Sequence, residues 1–164
     1  MADRYDKLNH NTLMASIGSM SRRWNDDIYL APPQNLEDFF TQEGPEGITI
    51  ADEMGATVAQ ITILNEAVRN TSYIDPEPLP ELVIEAMANK LDGQRPASAA
   101  AGLSKIMALN VEVYGRFTEL RLVDWKKEAA WGSHVVSITD LARGVSRVNA
   151  ERLARASRVL EAVR

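Results

Sequence analysis

Apolar positions in this chain recur mostly at steps of three and four, the spacing that lines up one face of an α-helix. The longest such stretch runs from Pro96 to Trp131, PASAAAGLSKIMALNVEVYGRFTELRLVDWKKEAAW. Leu103, Ile106, Met107, Leu109, Val113, Phe117, Leu120 and Val123 form its stripe, Ser98 is its expected N-cap, and Pro96 blocks extension backwards. Read as one helix, it is the spine of the fold, roughly 45–50 Å long at about 1.5 Å per residue. That exceeds the width of a small domain. The helix therefore either breaks, with Gly115 the expected point, or protrudes and needs a partner; Gly115 also reads as the mark of a close crossing. Asn110, Glu112 and Asp124 fall at the edge of the stripe. A solvated flank is the ordinary reading there, and a buried polar contact or a ligand the sharper one.

The same periodicity predicts further helices. Helix A covers about Tyr5 to Asp26, with His10, Leu13, Ile17, Met20 and Trp24 on one face. A lone His on such a stripe is ordinarily an interior hydrogen-bonded residue. Residues 28–48 are an irregular connection in which Pro32 and Pro33 stop any helix, Asn35 caps a short turn, and Phe39 and Phe40 fold down as a lid. Long loops are often functional, so this one is a candidate pocket wall. Helix B covers about Ile50 to Asn70, with Thr49 and Asp52 spaced as a capping box and Met54, Val58, Ile61, Leu64 and Val68 as its seam. Thr57, Asn65 and Glu66 are polar positions beside that seam, read as solvated, with Asn65 the one that fixes register if it is buried. Helix C covers about Pro80 to Leu91 and ends at Asp92–Gly93. Gly132–Ser133 breaks the spine. A last helix starts at Ser137, in a second capping box with Asp140, and carries Leu141, Val145, Val148, Leu153, Ala156, Leu160 and Val163 inward. Its remaining faces hold Arg143, Arg147, Arg152, Arg155 and Arg158, read as a solvated, pair-forming surface. No strand-like alternation and no internal repeat stand out.

Composition narrows the chemistry more than the fold. With 164 residues the chain fits a single domain, here taken as residues 1–164, able to bury a core without staples. The absence of cysteine removes disulfides, thiolate metal sites and a Cys nucleophile, and the two histidines, His10 and His134, are too few for a three-His metal site. No apolar run reaches 18 residues and the N-terminus lacks an apolar signal core, so a cytoplasmic protein with no membrane span is the expectation. The net charge of −5 is uneven: residues 1–82 hold five Lys/Arg against fourteen Asp/Glu, and residues 83–164 hold thirteen against nine. Acidic and basic helices lying side by side explain this more simply than a nucleic-acid partner does.

Phosphate-binding loops, a G-x-S-x-G elbow, H-E-x-x-H and the paired Glu-x-x-His of di-iron bundles are all missing. Glu112 and Glu119, seven apart on one face, have no companion ligands and read as surface carboxylates. No cofactor and no metal ligand are expected. The leading reading is a non-catalytic bundle that self-associates as a homodimer, with Trp125 and Trp131 as interface anchors, since large aromatics often carry interface energy. The alternative is a small-molecule binding protein or metal-poor enzyme whose pocket is lined by His10, Asn65, Asn110 and Tyr114.

The order of helices, with T-I-A-D-E-M-G-A-T-V-A-Q-I opening the second, resembles the DinB/YfiT-like bundles. The resemblance covers most of the chain as helix spacing. It implies an all-α, up-and-down four-helix-type bundle with a long irregular loop between helices A and B. That family binds a divalent metal through a His on the second helix and two on the last. This chain offers Ala56 and Thr57 on the second helix and Arg147, Asn149 and Arg152 on the last, so kinship implies a lost metal site and no metal-dependent transfer chemistry.

Overall fold

A computed structural model describes residues 9–30, 35–73 and 94–164. Four α-helices dominate these residues: α1 (His10–Trp24), α2 (Ile50–Thr71), α3 (Ala99–Glu119) and α4 (Ile138–Val163). The all-α class expected from the periodicity is what is found. Predicted helix C lies outside the described residues.

Local chemistry sets most of the ends. The Asn9 side chain accepts from Thr12 N–H at the start of α1. Capping boxes open α2 at Thr49/Asp52 and α4 at Ser137/Asp140, and Ser98 caps α3 by accepting from Ala101 N–H. A second cap comes from far away in sequence: the Glu37 carboxylate accepts the N–H groups of Ala99 and Ala100, both at 3.0 Å. It satisfies two donors that an isolated helix leaves open and puts negative charge at the positive end of the helix. Glu37 lies in the α1–α2 connection, on a short 3-10 turn (Leu36–Asp38), so the loop also fixes where α3 begins.

The spine is shorter than its pattern suggests. It does not run through to Trp131, and it does not break at Gly115. It ends at Glu119, where Leu120 turns extended (ψ 139°), and a 3-10 turn (Leu122–Lys126) follows. The cause is local. The Asp124 carboxylate accepts the Arg121 backbone N–H at 3.0 Å and its guanidinium N–H at 3.2 Å, offering the backbone an alternative to further helix. Gly115 marks neither a kink nor a close crossing, since a Cβ there would have no neighbour within 4 Å.

Beyond the turn, residues expected to be helical form an antiparallel hairpin of β1 (Glu128–Trp131) and β2 (His134–Ser137), with Ala129 opposite Val136 and Trp131 opposite His134. Gly132 supplies the positive φ (61°) that a tight two-residue connection needs. The ladder continues as Ile138 N–H donates to Lys127 C=O, and Thr139 Oγ1 donates to Trp125 C=O, which ties the hairpin to the start of α4.

α2 packs against both α3 and α4, and α1 packs against the same two helices. The core divides into two apolar clusters. One gathers Trp24, Ile28, Phe40, Met54, Leu103, Ile106 and Leu153; the other gathers Leu13, Ile17, Ile61, Val113, Phe117, Trp125 and Val145. Phe40 is buried, as the expected lid requires, while Phe39 is only partly so.

Candidate functional site

The four residues expected to line one pocket occupy four different places. Asn110 is not a solvated flank. It is buried at 1% exposure and forms a reciprocal amide pair with Asn149 of α4. Asn110 Nδ2 donates to Asn149 Oδ1 at 3.0 Å, and Asn149 Nδ2 donates back to Asn110 Oδ1 at 2.8 Å. Each amide also donates one helical turn back, to Ile106 C=O and Val145 C=O, and Trp24 Nε1–H donates to Asn149 Oδ1 at 3.2 Å. This network ties α1, α3 and α4 at the boundary between the two apolar clusters, and its donors are all satisfied.

Asn65 is also buried, against the solvated reading, and its amide donates to the Glu112 carboxylate across the α2–α3 contact. That hydrogen bond, with a second from Arg116, holds the Glu112 carboxyl below its ordinary value. Thr57 is buried too, its hydroxyl donating to Glu53 C=O at 2.7 Å. Asp124 is buried rather than solvated, and the Arg121 side chain and N–H bring its carboxyl down to about 2.

His10 sits at the far end, edge-on to Trp125 with ring centroids 4.2 Å apart and its buried Nδ1 without a hydrogen-bond partner. Trp125 faces the chain's own interior, 4% exposed and 5.3 Å from the Phe117 ring, so it is a core side chain of this fold; Trp131 is partly buried against the same cluster. Tyr114 lies half out of α3, with its ring against Gly18 of α1. Among the described residues no three Asp, Glu or His side chains come together in a way that would hold a metal ion. No described helix is long and apolar enough to cross a membrane.

The stripe expected to face inward includes Met107, which instead lies on the outward face of α3. Ala100, Ala101, Ser104, Met107, Ala108, Val111, Tyr114 and Thr118 are all exposed, with Val111 66% exposed, and no charge interrupts them. At 100° per residue these positions, with Gly115, share one side of the helix. Lys105, Glu112 and Glu119 line one border of this face. Glu112 is bonded within the chain, whereas Lys105 and Glu119 form no ion pair among the described residues. Leu122 and Val123, just past the end of α3, are also apolar and exposed, at 69% and 64%. A helix on the surface of a monomer ordinarily turns charge to solvent, so an uncharged face of this length is a candidate interaction surface.

Comparison with protein-family models, with curated proteins and with solved structures finds no match to this chain.

Proposed function

We propose that this protein acts by binding rather than by catalysis, as a homodimer joined through the outward face of α3. The observation that carries this reading is the self-complementarity of that face. With two copies of α3 antiparallel and Val111 on the two-fold axis, Met107 of one copy lies opposite Gly115 of the other, and Tyr114 lies opposite Ala108. Large side chains thus meet small ones in both directions, as an isologous interface requires. The same register brings Lys105 within reach of Glu119 of the second copy, engaging two charges that form no ion pair among the described residues. One helix face buries less than the roughly 800 Å² per partner of a stable dimer. Leu122 and Val123, exposed just past Glu119, add apolar surface at each end.

The aromatic anchors of this interface are therefore not Trp125, which packs inward, but Tyr114 with Met107 and Val111 beside it. Kinship with the DinB/YfiT-like bundles belongs to the same proposal. Around the places of that family's metal-binding histidines this chain has Ala56 and Thr57 on α2 and Arg147, Asn149 and Arg152 on α4, and Thr57, Asn149 and Arg152 are engaged inside the chain. Arg152 donates to Glu53 and Gln60, both at 3.1 Å. Neutral amides and a guanidinium are poor metal ligands, which favours a binding role.

Light scattering on the purified protein at micromolar concentration tests this. The wild type is expected at twice 18.2 kDa and Val111→Arg at 18.2 kDa with unchanged helicity. A wild type that stays at the monomer mass would overturn the proposal.

A further inference from the structure

A second surface feature stands apart from α3. The Gly44–Ile48 loop and the C-terminal half of α4 enclose a cleft of about 550 Å³, lined by Pro45, Glu46, Ile48, Glu53, Arg155, Arg158 and Val159. That volume falls within the range of small-molecule sites. The loop wall is built to hold its shape. Gly44 N–H donates to Ile48 C=O at 2.8 Å and closes the turn. A Cβ at Gly44 would lie 3.1 Å from Val159 Cγ1, so the loop sits directly on α4. Glu46 holds a left-handed conformation (φ 66°), which costs energy for a residue other than Gly. Such strain gathers where a loop has a task.

The charges in the cleft are unevenly used. The Glu53 carboxylate, with a side chain only 4% exposed, is taken up by Arg152 at 3.1 Å. Arg155 and Arg158, one turn apart on α4, form no ion pair among the described residues, although Glu151 and Glu161 lie within one turn on the same helix. With Glu46 on the facing wall, the cleft carries a net charge of about one positive unit, beside the apolar surface of Ile48, Pro45 and Val159.

We infer that this cleft binds a small organic carboxylate, its anionic head held by the Arg155 and Arg158 guanidiniums and its apolar body laid over Ile48 and Val159. A guanidinium presents two parallel N–H donors to a carboxylate, which gives orientation as well as charge. One unit of excess positive charge suits a monoanion rather than a polyphosphate. The site lies on α4 and the loop, so the inference holds whether or not α3 joins two copies.

Titration of the ¹⁵N-labelled protein with 4-phenylbutyrate tests it, with inorganic phosphate and 4-phenylbutylamine as comparison probes. Saturable shifts are expected at amides of residues 44, 46–48 and 153–160 with phenylbutyrate. The amine should give none, and phosphate only weak, non-saturating ones. Arg155→Ala/Arg158→Ala, a change at two exposed positions, is expected to weaken phenylbutyrate binding at least tenfold while leaving the melting temperature within a few degrees. Absence of saturable shifts, equal binding of the amine, phosphate binding as tightly as phenylbutyrate, or unchanged affinity in the double variant would each overturn the inference.

Discussion

At the scale of single residues, the decisive groups are polar ones inside the core. The Asn110–Asn149 pair is worth more to the fold than either amide alone, because removing one strands the other together with the Trp24 N–H. A buried donor left without a partner costs about 1–3 kcal/mol. Asn149→Leu is therefore expected to lower unfolding stability by roughly 2–4 kcal/mol in urea, and Asn110→Leu/Asn149→Leu to lose less than the sum of the two single changes. Additive losses would show that the amides act independently. Asp124 makes a pH prediction. Its folded-state carboxyl is depressed to about 2 from an ordinary 3.8 by the Arg121 side chain and N–H. Its contribution is thus present above the unfolded value and disappears as pH falls through that window toward 2. Asp124→Asn should flatten the acid side of the stability profile below about pH 4; a profile identical to wild type would contradict the role given to this side chain. The stripe allowed a buried polar contact at Asn110 and Asp124 without naming the partner. Asn110 and Asn149 are 39 residues apart, and an Asn at the edge of an apolar face reads as solvated until its partner is known.

At the scale of elements, what the sequence carried well was anything held locally. Ser98, Thr49/Asp52 and Ser137/Asp140 fixed three helix starts because a cap and its recipient lie within three residues. The end of α3 was also local, in the Arg121–Asp124 hydrogen bonds, but Leu120 and Val123 continued the helical period and concealed it. The hairpin had a signal as well: Gly132–Ser133 stands between short runs that include Trp131 and the β-branched pair Val135–Val136. The helix-favouring KKEAA segment outweighed it in reading but not in folding. The Glu37 cap on α3, spanning 62 residues, had no local signature. Gly55 gives the clearest element-scale prediction. A Cβ there would overlap the Gln94 carbonyl oxygen, a backbone atom that cannot rotate away. Gly55→Ala should gain about 1 kcal/mol in helix propensity and lose more than that in displaced backbone, for a net fall in stability. Thermal unfolding reads the sign, and a raised melting temperature would show that the 94–97 segment yields freely.

At the scale of the whole molecule, the two proposals rest on two surfaces of the described residues: the uncharged face of α3 and the arginine-lined cleft on α4. Burying residues 103, 106, 110, 113 and 117 of α3 against the other helices leaves 104, 107, 111 and 118 exposed. Trp125 and Trp131 are the anchors expected from sequence, as large aromatics near the end of a spine read through to Trp131. With that spine ending at Glu119, the chain folds back and Trp125 goes inside.

The chain contains no cysteine, so one introduced thiol can react only with its counterpart in another copy. Under mild oxidation on a non-reducing gel, Val111→Cys, at the proposed two-fold axis, is expected to run largely as a disulfide-linked dimer. Glu151→Cys, on the exposed side of α4, is expected to stay at the monomer position. Val111→Cys remaining monomeric, or cross-linking no faster than Glu151→Cys, would contradict an α3–α3 homodimer.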